Sequence, residues 1–435
     1  MESIWNDYEM PSFSPLPGDT KTDVLIIGGG MAGLLCAHFL KEAGVRCIVV
    51  EASRIAGGIT KNTTAKVTAQ HGLIYHKLID RFGADTAGLY LEANEAAVTD
   101  FRKMCQKIDC GWEDQDNFIY STSNRAVLEK ELSALMSLHF PAELETNLPL
   151  PFPTVGAVKF SHQGQFHPLQ FLSSVSNQLN IFENTPVRKM TKFYAVTDHG
   201  KIFADSFIVA THFPFLNKHG SYFMKLYQQR SYVLALENTP KLNGMYLDEA
   251  ENGLSFRHYG DILLLGGGGH RTGKEGGGWI ELEGKTREFY PNAKITHRWA
   301  TQDCMTLDEM PYIGQYSKNT PNLFVATGFN KWGMTSSMVS AKILTDLVQR
   351  KPNQYTEIFS PSRSMLHTQL GVNLLESTKN LLTPTAPRCP HLGCALKWNK
   401  QEHSWDCPCH GSRFSQDGQV IDNPALGDLK KTPKK

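Results

Sequence analysis

The 435-residue sequence lacks an excess of either charge: 44 lysines and arginines stand against 43 aspartates and glutamates, a net charge of +1. A protein without a strong field of one sign has no electrostatic reason to bind nucleic acid or an anionic membrane. The sequence also lacks an apolar run long enough for a membrane span, and residues 1–7 lack the basic and then apolar order of a secretory signal. We therefore expect a cytoplasmic protein whose partners are small molecules or other proteins.

Cysteine is scarce for a chain of this length, and nine cysteines are too few for a disulfide framework. Four of the nine lie between Cys389 and Cys409. In a cytosolic protein, such clustering points to a metal site before disulfides. The scattered cysteines are predicted to be buried, inert thiols: Cys36, Cys47, Cys105, Cys110 and Cys304.

Two strand-turn-helix patterns are predicted to frame a doubly wound sheet. The first has a strand over Asp23 to Ile27, a helix over Met31 to Ala43 and a second strand over Arg46 to Val50. Its first strand is apolar almost throughout, as expected of a strand buried on both faces of a parallel sheet. The second pattern, Leu323 to Ala326 followed by a helix over Thr335 to Val348, closes the sheet.

A dinucleotide-binding motif joins the first strand to its helix. Residues 28–33 fit G-x-G-x-x-G: Gly28 allows the tight turn, Gly30 lets the backbone approach a pyrophosphate, and Gly33 packs helix against strand. Glu51 ends the next strand, where an acidic side chain accepts hydrogen bonds from a ribose. The alternative for Glu51 is a solvated carboxylate at a strand end. The motif alone does not separate nicotinamide from flavin.

Five separated segments, in this order, resemble the D-amino acid oxidase-like family of FAD oxidoreductases over most of residues 20–350. They are Val24 to Gly33, Thr185 to Val187, Val209 to Thr211, Pro311 to Gly314 and Ala326 to Phe329. The resemblance implies FAD as the cofactor, with the backbone at Val187 beside the adenine and Gly328 to Met334 beside the flavin pyrimidine. Besides the motif glycines and Glu51, it implies these cofactor contacts: Ala32, Ala52, Val187, Ala210, Thr211, Gly328, Gly333, Met334 and Thr335.

The same resemblance implies that a hydride leaves the carbon next to a substrate amine, while the protein mainly positions the substrate. Lys331 is the residue we select as the catalytic-site anchor for a substrate anion, because several relatives place a basic or polar group there over the flavin. Further polar residues come from strands expected to line the substrate side, although an ordinary structural role fits each of them equally: Arg257, His258, Tyr259, His270 and Arg271.

His71 and His76 are spaced as two iron ligands could be, with Asp80 as the nearest carboxylate. A mononuclear iron site needs such a carboxylate to complete its facial triad. The surrounding pattern is unlike that of Rieske oxygenases, so we interpret both histidines as polar core or helix-cap residues. Because some relatives of the flavin family tether the cofactor through a histidine, His71 keeps that role as an alternative.

Two Cys/His pairs near the C-terminus supply the ligand set of a Rieske 2Fe-2S centre, which is two thiolates and two imidazoles. The pairs are Cys389 with His391 and Cys407 with His410. Short strands around a turn at residues 399–403 are expected to bring the two ligand loops together. The alternative is a tetrahedral zinc site, because cysteine and histidine pairs at similar spacing also suit zinc.

This region resembles the Rieske proteins of cytochrome bc complexes, and the resemblance favours the cluster over zinc. It extends to Gly411-Ser412 and to Pro424, and it implies a disulfide between Cys394 and Cys409. Two features depart from that group. A phenylalanine, Phe414, replaces a tyrosine that donates a hydrogen bond to a ligand sulfur, which predicts a lower potential. The link from Pro361 to Cys389 is short, which predicts a minimal module leaning on the flavoprotein.

The predicted fold class is α/β: an FAD-binding doubly wound, Rossmann-like sheet with an inserted α+β substrate domain and a small C-terminal all-β Rieske-type module. The oxidoreductase body is assigned to residues 20–350, followed by a linker helix over 351–384 and the module over 385–435. Within the body, the FAD-binding parts are about 20–83, 165–215 and 290–350, and the substrate parts are about 84–164 and 216–289.

The predicted function is an FAD-dependent oxidoreductase, an amine or amino-acid dehydrogenase that passes electrons from flavin to the 2Fe-2S cluster and on to a one-electron acceptor. A rival of another class is a non-catalytic redox protein in which flavin and cluster store or sense electrons. A third reading is a flavoenzyme with a structural zinc clip. Flavin bleaching by amines separates the first two, and metal analysis separates the third.

Overall fold

The structure is a computed structural model that describes residues 2–384 and 387–430. The predicted start of the module at residues 385–386 and its basic end at 431–435 lie outside the described residues. Among the described residues, none of the helices combines the length and apolar character that a membrane crossing requires.

The first sheet contains the predicted βαβ unit at its centre. Strand Thr20–Ile27 pairs in parallel with Cys47–Val50 on one side and Gly200–Val209 on the other, and helix Met31–Glu42 forms the crossover. The apolar pattern explains this position, because residues 24–27 are buried against both neighbours. In spatial order the sheet contains Tyr312–Gln315, Leu323–Thr327, Gly200–Val209, Thr20–Ile27, Cys47–Val50 and Ile181–Phe182. Tyr194–Thr197 also pairs with Gly200–Val209, and Val187–Met190 pairs with Tyr194–Thr197.

The second sheet is mostly antiparallel and covers one side of a cavity described below. Its longest pairing joins Leu226–Glu237 to Lys294–Thr306. In spatial order its strands are Lys294–Thr306, Leu226–Glu237, Ile262–Arg271, Ser255–Tyr259, Met245–Asp248, Glu113–Ser121, Gly156–Gln165 and Lys66–Val67, with Glu143–Glu145 beside Gly156–Gln165. The predicted boundary at residue 290 therefore differs from the structure, since residues 294–306 extend the second sheet before the chain returns to the first.

Helices cover the two sheets of the body. Met31–Glu42 and Ala84–Cys105 both pack against Gly333–Val348, the helix of the second predicted strand-turn-helix. The helices are Met31–Glu42, Tyr75–Phe82, Ala84–Cys105, Arg125–Ser137, Pro168–Ser176, Tyr222–Lys225, Gly278–Phe289, Gly333–Val348 and Thr368–Leu382, with 3-10 turns at Ile4–Asp7 and Ile59–Asn62. These sheets and helices confirm the predicted α/β body with its inserted second sheet.

A small antiparallel sheet forms the C-terminal module, a name used from here for the described residues 387–430. Its strands are Lys397–Asn399, Ser404–Asp406, Arg413–Ser415 and Val420–Asp422, paired in that order. The first two form the predicted hairpin between the ligand loops. Helix Thr368–Leu382 precedes the module and lies where the sequence predicts a linker helix. We call residues 20–350 the body.

Candidate functional site

A cavity of about 1110 Å³ runs between the two sheets of the body and reaches the C-terminal module. One end is lined by the glycine loop and Glu51, and the other by strands of the second sheet together with Lys331. Residues 420–423, 425 and 426 of the module also line it. Its size and its mixed lining suit a large cofactor and a small substrate together.

The glycine loop leaves space where the motif predicts a pyrophosphate. Gly28 has φ +111°, and a Cβ there would lie 2.5 Å from the backbone oxygen of Ala210. A Cβ on Gly33 would lie 1.9 Å from the Gly28 oxygen, which is the predicted close packing of helix on strand. At Gly30 the nearest obstacle is Thr60 Oγ1 at 3.3 Å, and Gly30 lines the cavity. Because Gly30 has no side chain, a pyrophosphate can come close to the backbone at this position.

Glu51 lies at the predicted strand end and lines the cavity. Its Oε2 accepts a hydrogen bond from the Gly29 N–H at 2.8 Å, and its Oε1 accepts one from Ser53 N–H at 3.0 Å. Burial raises the pKa of Glu51 and these backbone donors oppose the rise. A carboxylate can accept more hydrogen bonds than the backbone donors Gly29, Ser53 and Ala52 supply, so the group fits the predicted ribose contact.

The other predicted cofactor residues divide into two groups. Those that line the cavity are Ala32, Ala52, Val187, Ala210, Thr211, Gly333 and Met334. Gly33, Gly328 and Thr335 do not line it. Gly328 has φ +72° and a Cβ there would meet Thr306 at 2.3 Å, while Thr335 Oγ1 hydrogen-bonds His71 Nε2 at 2.9 Å. These three residues hold the local backbone and core instead of facing the cavity.

Lys331 lies in the cavity lining with the neighbouring carboxyl of Asp303, which sequence reasoning missed. Burial raises the pKa of Asp303 to about 6, and the charge of Lys331 opposes that rise. The two side chains are close enough to interact electrostatically but form no ion pair. The signal that could have found Asp303 is an acidic residue within the long strand Lys294–Thr306, near its C-terminal end.

A second missed residue, the cation Lys66, also lines the cavity. Its Nζ donates to Ser255 Oγ at 3.3 Å, and burial followed by the charge of Arg257 lowers the pKa of Lys66 to about 7. No sequence motif surrounds Lys66, because its neighbours come from a distant strand of the second sheet.

The polar residues expected on the substrate side lie elsewhere. Arg257 is fully buried against Trp5 and Tyr259, and it donates to the Ala65 oxygen at 3.1 Å. His258 accepts from the Leu242 N–H at 3.1 Å, and His270 pairs with the Tyr232 hydroxyl at 2.9 Å. None of these expected substrate residues is in the cavity lining, so their structural reading applies.

The structure does not bring His71, His76 and Asp80 together as an iron site. His71 is buried with its Nδ1 at 2.6 Å from the Tyr90 hydroxyl, and its Nε2 is also hydrogen-bonded. His76 Nδ1 lies 2.6 Å from Glu131, and Asp80 pairs with Lys130 at the surface. Both histidines thus have structural hydrogen bonds that fit polar core residues. His71 also lines the cavity, and its alternative role as a flavin tether stays a prediction.

The four predicted cluster ligands converge between two equivalent loops. The Gly393 N–H donates to the Cys389 oxygen and the Gly411 N–H donates to the Cys407 oxygen, each at 2.9 Å. The thiols of Cys389 and Cys407 hydrogen-bond each other. The imidazole centroids of His391 and His410 are 5.0 Å apart with the rings at 88°.

Two orphaned atoms show that this site fits a metal cluster. The Nδ1 atoms of His391 and His410 are both buried and have no hydrogen-bond partner. Burial lowers the pKa of His391 to about 4 and that of His410 to about 3, so both imidazoles are neutral, as metal binding requires. An unpaired buried nitrogen is costly unless something binds it. Two thiols and two unpaired imidazole nitrogens are the donor set of a Rieske centre.

A disulfide joins Cys394 to Cys409, with the Cα atoms 6.6 Å apart. These two sulfurs and that of Cys407 lie within 4.8 Å of one another, but the disulfide removes Cys394 and Cys409 as ligands. Ser412 hydrogen-bonds the Cys389 sulfur and accepts from the Ala425 N–H at 3.0 Å. Phe414 is buried in the core of the module, so no hydroxyl stands at that position.

The body supplies partners for the outer atoms of both histidines. Asn217 Oδ1 lies 3.0 Å from His391 Nε2, and the backbone of Phe223 hydrogen-bonds His410. An acceptor at Nε2 assigns the proton to that nitrogen and leaves Nδ1 with its lone pair for a metal. Residues of the body therefore orient ligands that belong to the module.

Two buried glutamines of the second sheet fix the second ligand loop. Gln228 Nε2 donates to the His410 oxygen at 2.8 Å, and Gln302 Nε2 donates to the Gly411 oxygen at 3.0 Å. Gly411 is required there, because it has φ +83° and a Cβ would lie 2.6 Å from Gln228. The module therefore packs closely against the body, as predicted, and is hydrogen-bonded to it at the second ligand loop.

A buried ionic network completes this contact. Glu402 of the module pairs with Arg230 of the body and with Arg413 of the module, and Tyr232 donates to Glu402 Oε1 at 2.9 Å. Burial alone would raise the pKa of Glu402, but the two arginine charges outweigh it and lower the pKa to about 2. Arg271 donates to the Pro408 oxygen at 3.2 Å, so this predicted substrate residue serves the contact instead.

The comparisons with known proteins agree with both halves. A family model described as FAD dependent oxidoreductase matches residues 23–347, and one described as Rieske [2Fe-2S] domain matches residues 362–433. YhfW of Bacillus subtilis (strain 168), provisionally named a Rieske 2Fe-2S iron-sulfur protein, is 36% identical and covers 99% of this chain and 97% of its own.

Solved structures similar to the chain share the fold of the body. The glycine oxidase of Geobacillus kaustophilus superposes with a TM-score of 0.67 at 19% identity, covering 79% of this chain and 99% of its own. The L-proline dehydrogenase of P. horikoshii gives a TM-score of 0.66 at 15% identity, covering 80% and 98%.

Proposed function

The chain belongs to the FAD dependent oxidoreductase family and carries a C-terminal Rieske [2Fe-2S] domain, and from this premise we propose that it oxidises a small amine or amino acid and delivers the electrons to its cluster. When bound, FAD accepts two electrons from a substrate and the cluster carries electrons singly. The chain's own residues bind both groups, orient the substrate and exclude water.

One observation carries this proposal: the cavity that contains the glycine loop and Glu51 is also lined by residues 420–423 of the module. Asn423 Nδ2 donates to the Thr211 oxygen at 2.6 Å and to the Phe213 oxygen at 2.8 Å, which ties the module to the cofactor side of the cavity. Phe213, next to the lining residue His212, is in ring contact with His391 and His410, so a cluster held by these ligands is a neighbour of the flavin cavity, as an electron relay requires.

We assign the cofactors to the predicted residues that fit them. The backbone at Gly28 and Gly30 would receive the pyrophosphate, and Glu51 would accept the ribose hydroxyls. Cys389, Cys407, His391 and His410 would hold the 2Fe-2S cluster.

Substrate binding is assigned to two neighbouring opposite charges among those that line the cavity, Lys331 and Asp303. Lys331 would bind a carboxylate, and Asp303, once ionised, would bind an ammonium group. They form no ion pair with each other, so both remain available to a zwitterion. Similarity to a glycine oxidase and an L-proline dehydrogenase supports an amino acid as the substrate class.

The test is an anaerobic screen in which purified protein is mixed with glycine, L-proline and simple amines. We expect at least one to bleach the flavin absorbance. Lys331→Met should slow that bleaching about tenfold or more at unchanged FAD content, because it removes the anion anchor. Lys318→Met, which changes an exposed lysine outside the cavity lining, should match the wild type.

Two results would contradict the assignment. Bleaching by no member of the screen, in protein whose flavin dithionite reduces, would favour the non-catalytic redox protein. Equal rates of flavin bleaching in the Lys331 and Lys318 variants would show that Lys331 is an ordinary surface charge and does not bind the substrate.

A further inference from the structure

Helix Thr368–Leu382, just before the module, has its polar side buried and its apolar side in solvent. Asn373 and Asn380 are its buried residues. Leu375 and Leu382 are 73% and 77% exposed, and Leu366 just before the helix is 91% exposed. Surface helices normally show the opposite arrangement, with the apolar stripe against the protein.

Polar contacts explain why the helix is held in this orientation. Arg271 Nη1 donates to Asn373 Oδ1 at 2.9 Å, and the Ala395 N–H donates to the Asn380 oxygen at 3.0 Å. Lys274 Nζ lies 2.6 Å from Glu376. These bonds hold the polar side against the body and the module, so the apolar side has no partner within the described residues.

The apolar side continues onto the first ligand loop of the cluster. Leu392, the residue after the ligand His391, is exposed, and a Cβ on Gly393 would lie 3.9 Å from Leu381. Arg388 ties the two together, because its Nη1 donates to the oxygens of Leu381 and Gly393, each at 3.1 Å. We define the leucine patch as Leu366, Val372, Leu374, Leu375, Leu381, Leu382 and Leu392.

The rim of the leucine patch is basic. Lys379 is exposed on the same helix, and Lys218 is exposed next to Asn217, which contacts His391. Among the described residues neither lysine takes part in an ion pair, and Glu376 is occupied by Lys274. An apolar centre with a charged rim is the anatomy of a protein–protein interface, and the sign of the rim selects the partner.

We propose that the leucine patch is the docking surface for a small acidic electron-carrier protein that accepts electrons from the cluster. This inference rests on the proposed function, which requires a one-electron acceptor. The charge of Lys218 and Lys379 favours an acidic carrier, and the position of Leu392 brings that carrier next to a ligand loop.

The test follows reoxidation of the cluster in holoprotein that dithionite has reduced, by stopped flow, with an acidic blue-copper protein as the probe. Leu375→Ser/Leu382→Ser should lower the second-order rate about tenfold or more. Lys218→Glu/Lys379→Glu should lower it similarly and weaken its salt dependence. The same charge reversal should raise the rate with a basic c-type cytochrome. With duroquinone, a small neutral acceptor, both variants should match the wild type.

Matched controls change exposed residues away from the leucine patch: Met136→Ser/Ile280→Ser for the apolar change and Lys318→Glu for the charge. Equal rates in patch and control variants would overturn the proposal. So would binding to phosphatidylglycerol vesicles, or self-association in sedimentation velocity, that the double serine variant abolishes. Dithionite can reduce the cluster directly, with no electron from the flavin needed, so a failure of electron delivery from flavin would leave this test intact.

Discussion

The body and the C-terminal module are stabilised in different ways. The body has extensive apolar cores on both faces of its first sheet, with strands of up to 13 residues in its second. Each strand of the module has 3 residues. Half of the buried core of the module is cysteine: Cys389, Cys394, Leu396, Trp405, Cys407, Cys409, Phe414 and Ala425. A core this small needs further stabilising bonds, such as disulfides or metal ligation.

Three kinds of bond stabilise the module. They are the disulfide between Cys394 and Cys409, the ionic network around Glu402 and Arg413, and the hydrogen bonds from Gln228 and Gln302 of the body. The cluster ligands add a fourth when metal is bound. The comparison teaches that the body is ordered by its apolar core, whereas the module depends on bonds to metal, sulfur and the body.

The largest effect should come from removing a ligand. Cys389→Ser or His410→Ala should abolish the Rieske-type EPR signal of dithionite-reduced protein, because the cluster loses a bond to iron. FAD content should stay near normal. Cys47→Ser, a change in the body, should keep the signal. Wild-type protein that bound zinc and gave no signal after anaerobic reconstitution would make the module a zinc clip.

The reciprocal change acts on the body. Gly30→Leu should reduce FAD content about tenfold or more, because the side chain fills the phosphate approach, and iron content should persist. Cofactor is measured after extraction. Gly284→Leu, at a helix glycine with open space around it, is the control. A normal FAD content in the Gly30 variant would show that the glycine loop does not bind the FAD pyrophosphate.

Breaking the ionic contact should destabilise the module and spare the body. Glu402→Gln leaves Arg230 buried without its carboxylate, at a cost of about 3–5 kcal/mol, while Arg413 keeps Asp406 and Asp422. Limited proteolysis should then release the module first. Glu288→Gln, at an exposed pair with Lys285, should behave as wild type.

The same carboxylate predicts a pH dependence. The pKa of Glu402 falls from 4.5 to about 2 in the folded protein, so its ionised form is the stabilised one. The contribution, about 3 kcal/mol, is complete above pH 4.5 and is lost as the pH falls to 2. Protease susceptibility of the module should rise over that window, and Glu402→Gln should flatten the rise. An unchanged profile in the variant would contradict this account.

A smaller effect is expected at Gln302. Gln302→Leu leaves the Gly411 oxygen without its buried donor, which should cost about 1–3 kcal/mol. It should shift the midpoint potential of the cluster in an EPR-monitored titration and leave that of the flavin unchanged. Gln315→Leu, in the first sheet, is the control. Equal shifts in both variants would mean that Gln302 does not position the ligand loop.

The parts of the molecule differ in how far the sequence predicts them. The strand Thr20–Ile27 and its helix follow from local patterns, and the structure places them as expected. The four cluster ligands also follow from a local pattern, and their role as ligands stays a prediction. Strands Glu113–Ser121 and Gly156–Gln165 were not predicted, because their polar residues interrupt the alternation of apolar side chains.

The missed site residues share one cause. Asp303 and Lys66 line the same cavity only because distant strands pack together. Asn217, Gln228 and Gln302 are neutral side chains with no motif, and their role appears only when the module contacts the body. Long-range pairing of this kind leaves no periodic signal in a single sequence.

The central claim is that flavin and cluster form a fixed relay within one chain. Anaerobic holoprotein with EDTA can be flashed to photoreduce its own flavin, and the cluster is then followed by absorbance and freeze-quench EPR. We predict that the cluster signal rises as the flavin is reoxidised, with a first-order rate that does not change with protein concentration. A rate proportional to protein concentration, or a cluster that stays oxidised although dithionite reduces it, would contradict the claim.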